Sequence, residues 1–158
     1  MANGMEIERK FLVAEQPDLE GSEGVELEQG YLAVSDGRGG AEVRLRRKQD
    51  ERLLTVKAGS GRTRNEEEIA LDHERFESLW SLTEGRRVAK TRHVIPHGER
   101  EIELDVYGGE LAGLIVAEVE FPDAATADGF EAPAWFGEEV TGNPEYLNGT
   151  LATEGLPR

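Results

Sequence analysis

Cysteine is absent from this chain. Disulfides and thiolate metal sites are therefore excluded, and a cytoplasmic protein is expected. Long apolar runs are missing too. None approaches the roughly 18–20 residues that a membrane span needs, and Met1-Ala2-Asn3-Gly4-Met5-Glu6 has neither the basic n-region nor the apolar h-region of a signal peptide. Positive charge is in deficit, with a net charge of −15. A broad nucleic-acid or anionic-membrane surface needs the opposite sign, so neither partner is expected. Lysine is scarce: Lys10, Lys48, Lys57 and Lys90 stand against 14 arginines. Where arginine does most of the surface duty, the place of each lysine carries information.

What is present is alternation. The 158 residues, 37% hydrophobic and 32% charged, suit one domain over 1–158. Period-two segments cut by glycine-rich turns predict strands at Glu6–Val13, Glu26–Val34, Ala41–Arg47, Arg52–Ala58, Arg64–Leu71, Arg87–Ile95, Arg100–Tyr107 and Leu114–Phe121. Hairpin loops are read at 35–40 and 59–61. Neither is a phosphate loop, because no helix carrying Lys-Ser/Thr follows. The period changes at Asp72. Phe76, Leu79 and Trp80 then fall at helical spacing, predicting a helix over Asp72–Leu82. A second helix is expected at Asp123–Phe130, an apolar clasp at Pro133, Trp135 and Phe136, and a short helix from Asn143 or Pro144 through Leu151. Eight meandering strands with few helices predict an eight-stranded antiparallel β-barrel, α+β in class, with helices packed outside.

Each strand pairs an apolar face with an ionisable one. The period of two sets the side chains of Glu6/Glu8/Lys10, Arg44/Arg46, Lys90/Arg92, Glu103/Asp105 and Glu118/Glu120 on a single side of the sheet. Charged faces of amphipathic strands ordinarily meet water. Two features weigh against that here. Acids gather on strands one, seven and eight and bases on three, four and six, and three of the four lysines sit on these faces. An alternative architecture turns the apolar faces outward beneath the helices and lines a wet tunnel with the charges. Burying them requires pairing or ligation. A polyanion suits Arg forks and Lys points, and clustered carboxylates suit hard divalent cations.

Glu6-Ile7-Glu8-Arg9-Lys10 is an E-x-E-x-K strand. Gly30-Tyr31-Leu32, Arg44-Leu45-Arg46, Leu54-Thr55-Val56-Lys57, Arg64-x-Glu66-x-Glu68, Lys90-Thr91-Arg92, Glu103-Leu104-Asp105, Glu118-Val119-Glu120 and Trp135-Phe136-Gly137-Glu138-Glu139-Val140-Thr141 follow in order. The series resembles the CYTH superfamily of triphosphate tunnel metalloenzymes over residues 6 to about 151, most closely its short bacterial members.

The resemblance implies metal-dependent hydrolysis of inorganic triphosphate or a related organic triphosphate, with Mg²⁺ or Mn²⁺. It makes Glu6, Glu8, Glu118 and Glu120 the metal carboxylates. Lys10, Arg44, Arg46, Lys57, Lys90 and Arg92 become the triphosphate cradle. Arg64, Glu66, Glu68, Glu103 and Asp105 become tunnel groups that orient the others or help a second metal. One metal is expected on Glu6, Glu8 and Glu120, with a second metal or a carboxylate among Glu118, Glu66 and Asp105 orienting a water. A homodimer is the assembly the family suggests. The sequence departs from the family at Leu147, where a basic residue is common, so the terminal helix is read as a cover rather than a phosphate contact. Alternatives on the same tunnel are a class IV adenylate cyclase, a thiamine triphosphatase and a non-catalytic polyphosphate- or nucleotide-binding module. His73, His93 and His97 are read as structural or surface residues.

Overall fold

The computed structural model describes residues 7–34, 40–60 and 63–157, with backbone alone at 59, 60, 63 and 64. Glu6, the loop at 35–39, the turn at 61–62 and the Arg64 side chain lie outside the described residues.

Among the described residues nine strands form one antiparallel sheet: β1 (Ile7–Val13), β2 (Val25–Ala33), β3 (Glu42–Lys48), β4 (Glu51–Ser60), β5 (Thr63–Ala70), β6 (Arg87–His97), β7 (Arg100–Tyr107), β8 (Ile115–Phe121) and β9 (Phe136–Glu139). Their order is β5-β4-β3-β2-β6-β7-β8-β1-β9. Two expectations are corrected. The strand count is nine rather than eight, because Phe136 and its neighbours, read as a clasp, form a short strand on the edge of β1. Among the described residues, hydrogen bonds also do not close the sheet into a barrel. The physical reason lies at its ends. β1 already has β8 on one side and β9 on the other. β5 presents Glu66, Glu67 and Glu68 in succession on an exposed edge, a charge run that discourages strand addition.

The first two helices begin at side-chain caps. Asp72 accepts from the Arg75 amide at 2.7 Å and opens α1 (His73–Trp80), which tightens into one 3-10 turn at Ser81–Thr83. Asp123 does the same for α2 (Ala124–Asp128) through the Thr126 amide, also at 2.7 Å. At the C-terminal end, a 3-10 turn at Pro144–Tyr146 capped by Asn143 gives way to extended Leu147, and α3 (Asn148–Glu154) runs past the expected end at Leu151. None of these helices is long and apolar enough to cross a membrane.

The strand period sorts the core. On the outer face, Phe11, Ile102, Leu104, Ala117, Val119 and Phe121 pack with Ala127 of α2 and Phe136 of β9. Leu45 packs with Phe76 and Trp80 of α1. The apolar faces thus lie beneath helices, as expected. A third cluster was not expected. Tyr31, Val88, Tyr107 and Val116 join Leu12 on the opposite face, around Leu151 and Ala152 of α3. At about 4.8 Å per strand, a flat sheet would hold β1 and β2 roughly 19 Å apart. Their meeting around one helix requires the sheet to curl, with α3 plugging one end of the concavity.

Gly30 shows how tightly β2 is held from outside. A Cβ there would lie 2.5 Å from Thr83 Oγ1 and 2.9 Å from the Trp80 ring. Both neighbours are themselves buried. Gly30→Ala is expected to destabilise the protein by about 1–3 kcal/mol, the usual effect of overpacking, measurable by urea unfolding.

Candidate active site

The concave face carries buried charge. Relative exposure is 0% for Asp105, 4% for Lys90, and 8% for both Arg44 and Glu118. Side chains of this kind are almost never buried unless paired or ligated, so bulk water is not what these four meet. Three electrostatic zones follow one another across the sheet.

The middle zone, on β6 and β7, is internally compensated. Lys90 Nζ lies 2.7 Å from Asp105 Oδ2. Arg92 forks onto Asp105, Nε to Oδ1 at 2.8 Å and Nη2 to Oδ2 at 3.0 Å, and its Nη1 lies 2.8 Å from Glu103. Burial works against the Asp105 charge, but the Arg92 and Lys90 donors outweigh it and hold the carboxyl below its usual value. Burial also opposes the Arg92 charge, yet Asp105 and Glu103 raise its guanidinium further. Burial pulls the Lys90 ammonium down against the support of Asp105.

The second zone, on β3 and β4, is cationic. Arg44, Arg46 and Lys57 have no carboxylate within ion-pair distance among the described residues. Burial lowers Arg46, and Arg44 and Arg92 lower it further. Burial and then Arg44 likewise lower Lys57. Arg44 Nε is buried without a hydrogen-bond partner. Arg46 is held by a neutral group instead. Its Nε and Nη2 donate to Gln29 Oε1 at 3.0 and 2.7 Å. Thr55 is buried beside them, opposite Arg44 in register.

The third zone, on β1 and β8, is acidic. The register sets Glu8 opposite Glu120 and Lys10 opposite Glu118. Like charges directly opposite each other repel. Glu8 is exposed to solvent, yet enough protein surrounds its carboxyl for burial to be the largest influence on it. Desolvation first, then the Glu118 carboxylate, push its carboxyl up to about 7. Lys10 Nζ lies 3.5 Å from Glu118 and donates to the Tyr146 carbonyl at 3.2 Å. Among the described residues no three His, Asp or Glu side chains converge as a ligand group. Glu8 and Glu118 share a hydrogen bond, and Glu120 adds its charge nearby. The donor set is all hard oxygen, and crowded carboxylates of this kind fit a divalent cation.

The sequence-predicted residues therefore divide. Glu8, Lys10, Glu118 and Glu120 come together, as do Arg44, Arg46 and Lys57, and so do Lys90, Arg92, Glu103 and Asp105. Glu66 and Glu68 share the face but lie on the exposed edge strand. Glu66 is opposite Lys57, and the charge of Glu68 reaches Arg46. Glu6 and the Arg64 side chain lie outside the described residues. His93 accepts or donates at Ser22 Oγ, 3.1 Å away, and His97 stacks edge-on to Phe130, so neither enters the concavity. Gln29 and Tyr31 were missed as site residues. On β2 the charged residues, Glu26 and Glu28, occupy the other face, so alternation of charge pointed away from them.

The end wall also differs from a plain cover. The Tyr107 hydroxyl donates to Asn148 Oδ1 at 2.6 Å, and Leu151 and Ala152 fill the apolar end of the concavity. Leu147 is largely exposed and contributes no charge.

Residues 4–153 match the CYTH domain family. The chain is 48% identical over 149 residues to an inorganic triphosphatase of Nitrosomonas europaea, covering 93% of this chain and 96% of that one. It is 37% identical over 151 residues to an inorganic triphosphatase of Acetivibrio thermocellus, covering 94% and 93%. The crystal structure of an inorganic triphosphatase superposes with a TM-score of 0.76 at 44% identity, over 96% of this chain and 97% of that one.

Proposed function

The chain belongs to the CYTH domain family, and on that footing we propose that it is a divalent-metal-dependent hydrolase of inorganic triphosphate. The observation that carries this reading is the opposition of two crowded zones of unlike sign. Arg44 disfavours the charges of both Arg46 and Lys57, and among the described residues no carboxylate comes within ion-pair distance of the three, Glu68 and Glu66 offsetting this only from the edge strand. Glu8, Glu118 and Glu120 crowd in the same way with the opposite sign. One chemistry relieves both: an anion rich in phosphoryl oxygens together with a hard cation. Two related enzymes that share 37–48% of their residues with this chain are named for that substrate.

In this reading Arg44 and Arg46 present guanidinium forks, and Lys57 an ammonium, to the phosphoryl oxygens. They neutralise charge on the transferred group and the departing diphosphate, which is most of what phosphoryl transfer asks of a protein. Glu8, Glu118 and Glu120 hold the cation, Mg²⁺ or Mn²⁺, with Glu6 a further candidate. When bound, the cation shields substrate charge and polarises phosphoryl oxygens. Lys10 spans the carboxylate zone and the end wall, holding Glu118 in place. Asp105 has both oxygens engaged by Arg92 and Lys90, so its part is to brace those cations. Glu118 is then the better candidate than Asp105 for orienting a water.

A substrate panel tests the reading. Phosphate release from triphosphate, ATP and thiamine triphosphate is measured with Mg²⁺ or Mn²⁺, alongside cyclic AMP. Triphosphate is expected to turn over fastest, and only with added cation. Cyclic AMP as the main product, or binding with no turnover, would contradict it.

A further inference from the structure

Two tunnel arginines are held in opposite ways. Arg92 is fixed by carboxylates, and its charge is spent within the protein. Arg46 is fixed by a single amide oxygen, Gln29 Oε1, which accepts from both Nε and Nη2. The amide orientation is forced. A guanidinium has only donors, so the oxygen must face it. Gln29 Nε2 then donates to the Tyr31 hydroxyl at 3.1 Å. Gln29 is completely buried and Tyr31 nearly so, and Gln29 stands opposite Arg46 in the β2–β3 register. The anchor is therefore part of the sheet.

We propose that Gln29 is the positioning residue of the triphosphate site, a neutral anchor that fixes the Arg46 guanidinium while leaving its positive charge for the substrate. The proposal rests on the triphosphate reading above and names a residue that reading does not use. A carboxylate at position 29 would hold Arg46 as well or better, but would neutralise it, as Asp105 neutralises Arg92. A hydrocarbon of similar size would leave the charge and release the geometry. Position 29 thus needs an acceptor that is strong, buried and uncharged, and Tyr31 keeps the amide from flipping.

The test compares Gln29→Glu and Gln29→Met with the native protein, using inorganic triphosphate with Mg²⁺. Gln29→Glu is expected to keep or raise the melting temperature. Its KM should rise by about tenfold or more, the scale of one hydrogen bond to a charged group, with kcat changed far less. Gln29→Met should also raise KM. In an Arg46→Met background the Gln29→Glu effect should vanish, because its target is gone. Native KM in both variants would overturn the proposal. So would an undiminished Gln29→Glu effect in the Arg46→Met background, or failure of both variants to fold, which would make Gln29 a core residue only. A native protein without triphosphate turnover would instead defeat the proposed function itself, and this inference with it.

Discussion

Glu8→Gln is expected to lower triphosphate turnover by about 10³-fold or more, on the scale of several kcal/mol of transition-state charge stabilisation, while raising the melting temperature of the cation-free protein at pH 8. The two effects share a cause. Glu8 is crowded by its confined setting and by Glu118, so its carboxyl titrates near 7 rather than the ordinary 4.5. A raised carboxyl value means that the folded state holds the proton more tightly than the unfolded chain does. Ionised Glu8 therefore penalises folding above pH 7, and the penalty disappears below about pH 4.5. Glutamine removes the penalty and, with it, the charge that the cation needs. The gain in melting temperature should accordingly fade as pH falls from 8 towards 4.5. Added Mg²⁺ should stabilise the native protein more at pH 8 than at pH 5, because at pH 5 it must displace the proton. Thermal denaturation at both pH values, with and without Mg²⁺, checks the pattern. Native turnover in Glu8→Gln would contradict the assignment. Activity lost together with stability would reduce Glu8 to a folding residue.

The second large effect falls on stability. Asp105→Ala is expected to cost about 3–5 kcal/mol, because it leaves Lys90 and Arg92 as buried charges without their shared partner. Both partners lie within 2.8 Å of it, and the Lys90 and Asp105 side chains are each 1% exposed. The pH dependence has the opposite sign to that of Glu8. The Asp105 carboxyl lies below its ordinary value, so its contribution is complete above the unfolded value and is lost as pH falls through the folded one. Urea unfolding at neutral pH should show the loss in full, and the gap between native protein and variant should narrow in acid. A midpoint for Asp105→Ala equal to the native one would show that the network is not what braces β6 against β7.

These expectations sort residues that the sequence could only group. Alternation places Lys90, Arg92 and Asp105 on one face with Arg44, Arg46 and Lys57, since the strand period is two whatever the fold. It does not say which cations find carboxylates, because pairing depends on which strands are neighbours. In the sheet, β6 lies beside β7, so Arg92 meets Asp105 directly. β3 lies between β2 and β4, whose residues directly opposite Arg46 are Gln29 and Leu53, neither a carboxylate. The ninth strand was illegible for a simpler reason. Phe136–Glu139 is four residues long, too short to establish a period. The start of α1 at Asp72 is legible because capping is local chemistry, and the Asp123 cap adds a second instance that the helical pattern only bounds. The plugging position of α3 was not, since Leu151 and Ala152 find Tyr31 and Val88 only through long-range packing.

In the proposed function, the cationic zone of β3 and β4 and the acidic zone of β1 and β8 face one another across the concavity and grip a single triphosphate. A crystal structure of the native protein with an imido-bridged, non-hydrolysable triphosphate and Mg²⁺ tests it most directly. Phosphoryl oxygens should lie within hydrogen-bond reach of Arg44, Arg46 and Lys57, with the cation on Glu8 and its carboxylate neighbours. A triphosphate bound on the outer face, away from all three cations, would contradict it.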